Sequence, residues 1–211
     1  MKFITVIEHD LIIKELLNGK VALLPTDTVY GLAASPELES GVQNVYDLKE
    51  RPRRFPLPVL VSKIEDLYAL GVDVNENARF LLQSPFIPGA VTLILGFRDV
   101  PRPEWLKGRA DEADRIPQRE FLFPILSKTG PLLATSANRH CSKVNMGVIK
   151  DILRDLNGVP DIIVDGGILS NMASTILNCR NSTITIQREG QITAKDLSRY
   201  LNLEEIHNHK C

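Results

Sequence analysis

Apolar residues recur along the chain at two different spacings, which alternate from one segment to the next. Short apolar runs bounded by Pro, Gly or polar residues predict buried strands, and apolar residues three and four positions apart predict helices. Strands are predicted at residues 21–24, 57–61, 91–95, 131–135, 162–164, 174–177 and 183–187. Helices are predicted in the stretch HDLIIKELLNGK, which stops at Gly19, and at residues 41–49, 64–70, 75–83, 120–128, 147–156 and 194–201. Several strands follow one another too closely for a pure βαβ series, so we expect one α/β domain with a mixed sheet.

A polar cluster follows the first of these strands, in the stretch LLPTDTVYGLAA. Pro25 ends the apolar run because it has no backbone donor for a sheet, and the chain then reads as leaving the sheet through a Tyr-Gly turn. The hydroxyls of Thr26 and Thr28 therefore lie beyond the strand, where ligands collect in open α/β sheets. A hydroxyl-stabilised turn or a helix cap explains the same residues without a ligand, and the segment alone does not choose between these readings.

Two further strands are followed by groups suited to a small polar ligand. The strand before Thr135 leads into Ser136 and Asn138, whose hydroxyl, amide and backbone N–H groups could cradle phosphate or carboxylate oxygens. The sequence Asp165-Gly166-Gly167, followed by Ser174 and Thr175, forms a third such place, with glycines that allow a ligand to approach closely. Neither GxxxxGK[ST] nor GxGxxG occurs, so a Walker-type or dinucleotide-binding fold is not supported.

Cations are concentrated at the end of the second predicted helix. Lys49, Arg51, Arg53 and Arg54 lie close together around Pro52, which ends the helix. They repel one another, and an anion such as a triphosphate would relieve that repulsion, although a solvated basic turn explains the cluster equally well. Arg115 in RIP and Arg188 in QREG each place a single cation beside a strand or turn.

Composition narrows the class of protein. The chain has 211 residues, of which 44% are hydrophobic and 24% charged, with a formal net charge of −1, so a global basic field for nucleic acid is absent. Its three cysteines lack the spacing of a zinc site or a disulfide framework, and no apolar run suits a signal peptide or a membrane span. We therefore expect a cytoplasmic protein with one domain over residues 1–211, a core at about 8–201 and a tail at 202–211. Residues 97–117 read as a mobile surface loop.

Taken together, the short motifs resemble one family. PTDTVYGL, KERP with FPL, PGAVTLIL, RIP, TSAN, DGG, ASTI and REG occur between Val21 and Gly190 in the order and at the spacing of the YrdC-like threonylcarbamoyl-AMP synthases. The resemblance implies a twisted α/β sheet around a large concave, positively lined cavity, in the short single-domain form of the family. It also implies synthesis of threonylcarbamoyl-AMP and pyrophosphate from L-threonine, bicarbonate and ATP. That product is the donor for N6-threonylcarbamoyladenosine in tRNA, so the implied partner is the downstream tRNA threonylcarbamoyl-transferase machinery.

The resemblance assigns roles to residues of this chain. Thr28, Arg115 and Ser174 match contacts to L-threonine, with Arg115 at its carboxylate. Lys49 and Arg51 match a pair that faces the triphosphate and would stabilise its charge, and we expect both side chains to face solvent in the empty cavity. Ser136, Asn138 and Arg188 match contacts to ATP. Mg²⁺ would arrive with ATP and be held chiefly by the nucleotide, and no protein ligand for a metal is nominated.

The chain departs from the family pattern after Asn138. A Ser-Gly pair commonly follows there in the family, whereas Arg139, His140 and Cys141 follow here, so no contact beyond Asn138 is carried over. Some members also have Asn and His where this chain has Phe55 and Leu60. Two other classes of function stay open. One is a non-catalytic relative that binds RNA or a nucleotide, including weak binding of tRNA phosphates. The other is carbamoyl transfer of the hydrogenase-maturation kind, which needs additional modules.

Overall fold

Strands and helices alternate along the chain in the computed structural model, which describes residues 2–5 and 8–200. In these ranges the strands are β1 Lys2–Thr5, β2 Ala22–Pro25, β3 Tyr30–Ala34, β4 Val59–Leu60, β5 Val91–Leu95, β6 Glu112–Arg115, β7 Leu132–Ser136, β8 Ile162–Asp165, β9 Thr175–Asn178 and β10 Thr185–Arg188. The α-helices are α1 His9–Leu17, α2 Glu39–Lys49, α3 Ile64–Ala69, α4 Glu76–Leu82, α5 Leu122–Thr129, α6 Ile149–Asp155 and α7 Ala194–Tyr200. The predicted tail at 202–211 lies outside the described residues.

All of these strands form one mixed sheet in the order β1-β8-β2-β3-β7-β4-β6-β5-β9-β10. The pairs β1–β8, β8–β2, β4–β6 and β5–β9 are parallel, and the other neighbours are antiparallel. The predicted α/β class with a mixed sheet is therefore confirmed. No helix among the described residues combines the length and the hydropathy needed to cross a membrane.

Helices cover both faces of the sheet, which explains why β2 and β3 are buried at every position. Alternate residues of a strand point to opposite faces, so Leu23 belongs to the larger core, which includes residues of α2, α3 and α4, and Leu24 belongs to the second core, with residues of α1 and α5. All four residues of β2 and all five of β3 are buried. Continuous apolar runs of this kind are typical of strands that are buried on both sides.

The predicted Tyr-Gly turn is wrong. Tyr30 and Gly31 begin β3, which returns antiparallel to β2, and the turn is made by residues 26–29. The Thr26 hydroxyl donates to the carbonyl oxygen of Val29 at 2.6 Å, and the backbone N–H of Thr28 donates to the Thr26 hydroxyl at 3.1 Å. The hydroxyl-stabilised turn is therefore present, and it closes a β-hairpin.

The prediction of a mobile surface loop over residues 97–117 is wrong in its last part. Glu112–Arg115 forms β6, which pairs with β4 in parallel and with β5 antiparallel, so it lies inside the sheet. The sequence EADR has no apolar run to reveal a strand. β1 was also not predicted, and it pairs in parallel with β8 at one end of the sheet.

Asp114 is a buried acid in the middle of β6. Its residue is 3% exposed, and its two carboxylate oxygens have no hydrogen-bond partner among the described residues. Burial raises the pKa of Asp114 well above its usual range, the nearby Glu112 raises it further, and Arg109 opposes the change. Burial also raises the pKa of Glu112 to about 7, although Arg109 is paired with it. Burial without a hydrogen-bond partner among the described residues therefore favours the protonated form of Asp114 in the folded protein.

This protonation makes folding stability depend on pH. The folded chain keeps a proton that the unfolded chain releases above its pKa of about 4, so stability must fall as pH rises from there towards the folded pKa. Asp114→Asn, which cannot ionise, should remove this fall. Its free energy of unfolding relative to the parent should rise by about 1.4 kcal/mol for each pH unit in that window. Urea unfolding at pH 5, 6, 7 and 8 measures it, with exposed Asp99→Asn as control, and parallel pH curves for Asp114→Asn and the parent would contradict the prediction.

Candidate functional site

A cavity of about 180 Å³ opens where the hairpin turn, the end of β7, the end of β6 and the start of β9 meet. Its wall combines hydroxyl-bearing residues and arginines with apolar residues. The lining residues are Thr26, Thr28, Val29, Tyr30, Gly31, Arg51, Pro58, Leu60, Thr92, Arg115, Ala134, Thr135, Ser136, Ala173, Ser174, Ile176 and Arg188. The structure thus brings six of the residues singled out in the sequence to one place: Thr28, Arg51, Arg115, Ser136, Ser174 and Arg188. The large concave cavity implied by the resemblance stays a prediction.

Arg115, at the end of β6, is the most buried of the three arginines in this wall. Its Nε donates to the carbonyl oxygen of Gly89 at 2.9 Å, one terminal nitrogen donates to the Thr28 hydroxyl at 2.9 Å, and the other donates to the Asp27 carboxylate at 2.7 Å. Burial lowers the pKa of the Arg115 guanidinium and the Asp27 carboxylate raises it, and an arginine stays charged under both influences. Arg115 therefore connects β6 to the hairpin turn and presents a fixed positive charge to the cavity.

Ser174 lies on the opposite wall, just before β9. Its hydroxyl is 2.8 Å from the hydroxyl of Thr92 in β5, and its carbonyl oxygen accepts from a terminal nitrogen of Arg188 at 2.8 Å. Burial lowers the pKa of Arg188, and the positive charge of Arg115 lowers it further. The two guanidiniums therefore repel each other across the cavity, and an anion bound between them would relieve that repulsion.

Lys49 does not face the cavity, so the expectation that its side chain faces solvent is wrong. It is the last residue of α2 and is 2% exposed. Its ammonium donates to the carbonyl oxygens of Ser136 and Asn138, both at 2.5 Å, and lies 3.4 Å from the side-chain oxygen of Asn138. The pKa of Lys49 is lowered to about 7, chiefly by burial and also by the positive charge of Arg51, and Asp155 opposes the change.

Lys49 thus binds the turn that follows β7 from outside the cavity. Ser136, at the end of β7, donates from its hydroxyl to the Asn138 side-chain oxygen at 2.7 Å, which closes the same turn from inside. The Asn138 amide nitrogen donates to the carbonyl oxygens of Arg139 and Ser142. Ser136 is left in the cavity wall, and Lys49 and Asn138 lie outside it. The contacts with the nucleotide that the family resemblance assigns to Lys49 and Asn138 stay predictions. In the structure, the hydrogen bonds of these two residues hold Ser136 in position.

The basic cluster at the end of α2 is divided among several environments. Arg51 lines the cavity, half-buried, and its guanidinium donates to the carbonyl oxygens of Phe55 and Pro56 at 2.9 and 3.0 Å. Arg53 turns back onto α2, where it pairs with Glu39 and lies over the ring of Tyr46. Arg54 lies over the ring of Phe55. Only Arg51 of these three lines the cavity, so the alternative of a solvated basic turn holds for Arg53 and Arg54, which are exposed.

The glycines of Asp165-Gly166-Gly167 serve the fold and do not line the cavity. A Cβ on Gly166 would lie 2.4 Å from the Cβ of Pro25, so glycine is needed for β2 to pass. The Tyr30 hydroxyl accepts from the Gly166 backbone N–H at 2.9 Å and donates to the Gly167 carbonyl oxygen at 2.7 Å. The close approach expected here for a ligand is therefore made by the hairpin itself.

The residues that follow Asn138 and differ from the family pattern there are held outside the cavity, whereas Leu60, which differs from some members, lines it. Asp155 of α6 accepts from the Arg139 backbone N–H at 2.7 Å and from the Ser142 hydroxyl at 2.6 Å. Cys141 adopts a left-handed backbone conformation with φ +63° between them. None of residues 139–142 lines the cavity.

Thr92 and Asp27 were missed in the sequence. Thr92 lies inside the apolar strand VTLIL, and a single polar residue in a buried strand was the available indication that one face of β5 borders a polar site. Asp27 lies between the two threonines of the hairpin turn, and no pattern in the sequence indicates that its partner is Arg115. Among the described residues, no group of three or more His, Cys, Asp or Glu side chains is placed to hold a metal ion.

Comparison with known proteins gives three relevant matches. The Sua5_yciO_yrdC family model, whose description is Telomere recombination, matches residues 14–190. A Bacillus subtilis protein named Threonylcarbamoyl-AMP synthase is 33% identical over 185 residues, which are 86% of this chain and 53% of that protein. The crystal structure of P. abyssi Sua5 complexed with L-threonine superposes with a TM-score of 0.85 at 25% identity, over 98% of this chain and 63% of that one. The chain thus spans about half the length of the first relative.

Lys49 and Arg51 should differ in their contribution to stability. Lys49→Met leaves the Asn138 carbonyl oxygen without the ammonium donor, while the Ser136 carbonyl oxygen still accepts from the Asn138 backbone N–H at 3.0 Å. A polar group left unpaired costs roughly 1–3 kcal/mol, so the free energy of unfolding should fall by about 2 kcal/mol. Arg51→Met, a half-buried residue at the cavity, should cost less than about 1 kcal/mol. Urea unfolding of both variants tests this difference, and equal losses would show that Lys49 does not hold the turn.

Proposed function

The chain belongs to the Sua5/YciO/YrdC family, and from that premise we propose that it is an L-threonylcarbamoyladenylate synthase. In this proposal L-threonine, bicarbonate and ATP are the substrates, and threonylcarbamoyl-AMP and pyrophosphate are the products. The observation that carries the proposal is the cavity wall, in which three arginines and several hydroxyls converge and no carboxylate takes part. Such a wall suits ligands with several negative charges. The name of the Bacillus subtilis relative and the L-threonine bound to P. abyssi Sua5 support the same reading.

Threonine would bind on the side of Arg115. An arginine carries five N–H groups, and the described hydrogen bonds of Arg115 use three of them. One N–H group therefore remains on each terminal nitrogen. A carboxylate can accept from both of these groups through two parallel hydrogen bonds. Thr28 and Ser174 offer hydroxyls on either side. These groups would fix the amino acid with its amine directed to the reacting partners.

The chemistry requires charge neutralisation and positioning. The threonine amine and bicarbonate form a carbamate with loss of water, and a carbamate oxygen then attacks the α-phosphorus of ATP while the bond to pyrophosphate breaks. Two anions must approach each other, and negative charge builds on the phosphoryl oxygens. Arg51 and Arg188 would stabilise that charge, and Ser136 would donate to the nucleotide. No enzyme nucleophile is needed.

Magnesium fits this scheme as part of the ATP substrate. The cavity wall contains no Asp or Glu, and carboxylates are the usual protein ligands of Mg²⁺. Mg²⁺ would thus be held by phosphate oxygens, where it supplies further neutralisation. In this proposal the product would pass to a tRNA threonylcarbamoyl-transferase, and the protein would work in the cytoplasm.

The decisive experiment measures pyrophosphate release from ATP and Mg²⁺, with and without L-threonine and bicarbonate. We expect release that requires both, with serine and glycine as much weaker substrates. Release that is independent of threonine would contradict the proposal. No release from folded protein that still binds RNA, with an affinity that falls steeply as salt rises, would favour the non-catalytic RNA-binding alternative.

Thr28→Val tests the threonine side of the cavity. It removes a hydroxyl that bonds Arg115 at 2.9 Å while it keeps the side-chain volume nearly constant, so KM for threonine should rise about tenfold. KM for ATP should stay within about twofold of the parent. Thr129→Val in α5, whose hydroxyl bonds only backbone carbonyls, is the matched control. An unchanged KM for threonine would remove Thr28 from the site.

A further inference from the structure

Asp27 is the counter-ion of Arg115, yet it does not line the cavity itself. Its carboxylate lies 2.7 Å from a terminal nitrogen of Arg115, and the side chains of Asp27 and Arg115 are only 14% and 8% exposed. A buried guanidinium without an acceptor carries a large desolvation cost, and Asp27 removes it. The pair is thus well shielded from water and is more than a surface ion pair.

The hairpin turn holds Asp27 in a fixed place. Thr26 and Thr28, its two neighbours, are linked by their hydroxyls at 3.0 Å, and Thr26 also closes the turn onto Val29. Thr28 in turn contacts the first terminal nitrogen of Arg115, while Asp27 contacts the second. Both ends of the guanidinium are therefore aligned by consecutive residues of one rigid turn.

This alignment decides which N–H groups of Arg115 remain for a ligand. With Nε fixed on Gly89 and one N–H of each terminal nitrogen used by Thr28 and Asp27, the plane of the guanidinium cannot rotate without breaking a hydrogen bond. A fork that is already aligned loses little freedom when a carboxylate binds it, which favours affinity.

We propose that Asp27 is a positioning residue for the amino-acid substrate: it aligns the Arg115 guanidinium so that the two remaining N–H groups meet the substrate carboxylate. This inference rests on the proposed function, since the carboxylate in question is that of threonine. The role depends on where the acceptor oxygen of residue 27 lies and not on its charge. A second carboxylate this close to the substrate's own would, by charge alone, weaken binding.

Two variants separate position from charge. Asp27→Asn keeps an acceptor oxygen in place and removes the charge, so KM for threonine should stay within about threefold of the parent. Asp27→Glu keeps the charge and moves the acceptor by one methylene, so KM for threonine should rise about tenfold or more. KM for ATP should change less than about twofold in both, because neither change touches the ATP side.

The matched controls are Asp111→Asn and Asp111→Glu, since Asp111 is also paired with an arginine, Arg180, away from the cavity wall. Neither control should change KM for threonine. The proposal is overturned if the two Asp27 variants have equal KM for threonine, if Asp27→Asn has the higher one, or if KM for ATP rises in parallel with it. Calorimetric titration of the parent with L-threonine distinguishes a failure of the proposed role of Asp27 from a failure of the proposed function. A parent that binds and turns over threonine while its Asp27 variants break this pattern refutes only the role of Asp27, whereas a parent that does neither refutes the proposed function as well.

Discussion

The site depends on the requirement that a buried cation be given acceptors. Arg115 and Lys49 are both almost fully buried, and each satisfies its charge with groups from a segment far away in sequence. Arg115 connects the end of β6 to the hairpin turn, and Lys49 connects the end of α2 to the turn after β7. Because leaving either cation unpaired would cost several kcal/mol, these bonds fix the positions of both turns. The hydrogen bonds of two buried cations thus hold two parts of the site, the hairpin turn and the turn after β7.

The pairing of buried charges also explains why the cavity is lined by positive charge in a chain with a formal net charge of −1. The carboxylate that balances Arg115, that of Asp27, lies behind the wall, and the charged side chains that line the wall are the arginines Arg51, Arg115 and Arg188. Local arrangement therefore decides the sign of the field that a ligand meets, and overall composition does not.

Part of the site could be predicted because Thr28 follows an apolar strand and Ser136 ends one, whereas Ser174 precedes its strand and was assigned to the site by the family resemblance. What failed has identifiable causes. β6 reads EADR, a sequence without an apolar run. Its two acids are accommodated in the sheet because Glu112 pairs with Arg109 and because burial raises the pKa of Asp114. In the sequence, Lys49 cannot be distinguished from an exposed lysine at the end of a helix. The carbonyl oxygens of Ser136 and Asn138 that accept from its ammonium belong to a distant segment of the chain. Burial of charge is a property of tertiary partners, and periodicity carries no information about them.

The altered segment after Asn138 can be understood in the same terms. Its backbone is tied to Asp155 through Arg139 and Ser142, and to Asn138 through the Asn138 amide, so its path is set by hydrogen bonds on the side away from the cavity. Ser136, by contrast, is held by the pairing of β7 with β3, by Lys49 and by Asn138. The two sets of contacts share Asn138 and also Lys49, because the His140 backbone N–H donates to the Lys49 carbonyl oxygen at 2.7 Å. This departure from the family pattern at residues 139–141 therefore lies outside the cavity wall.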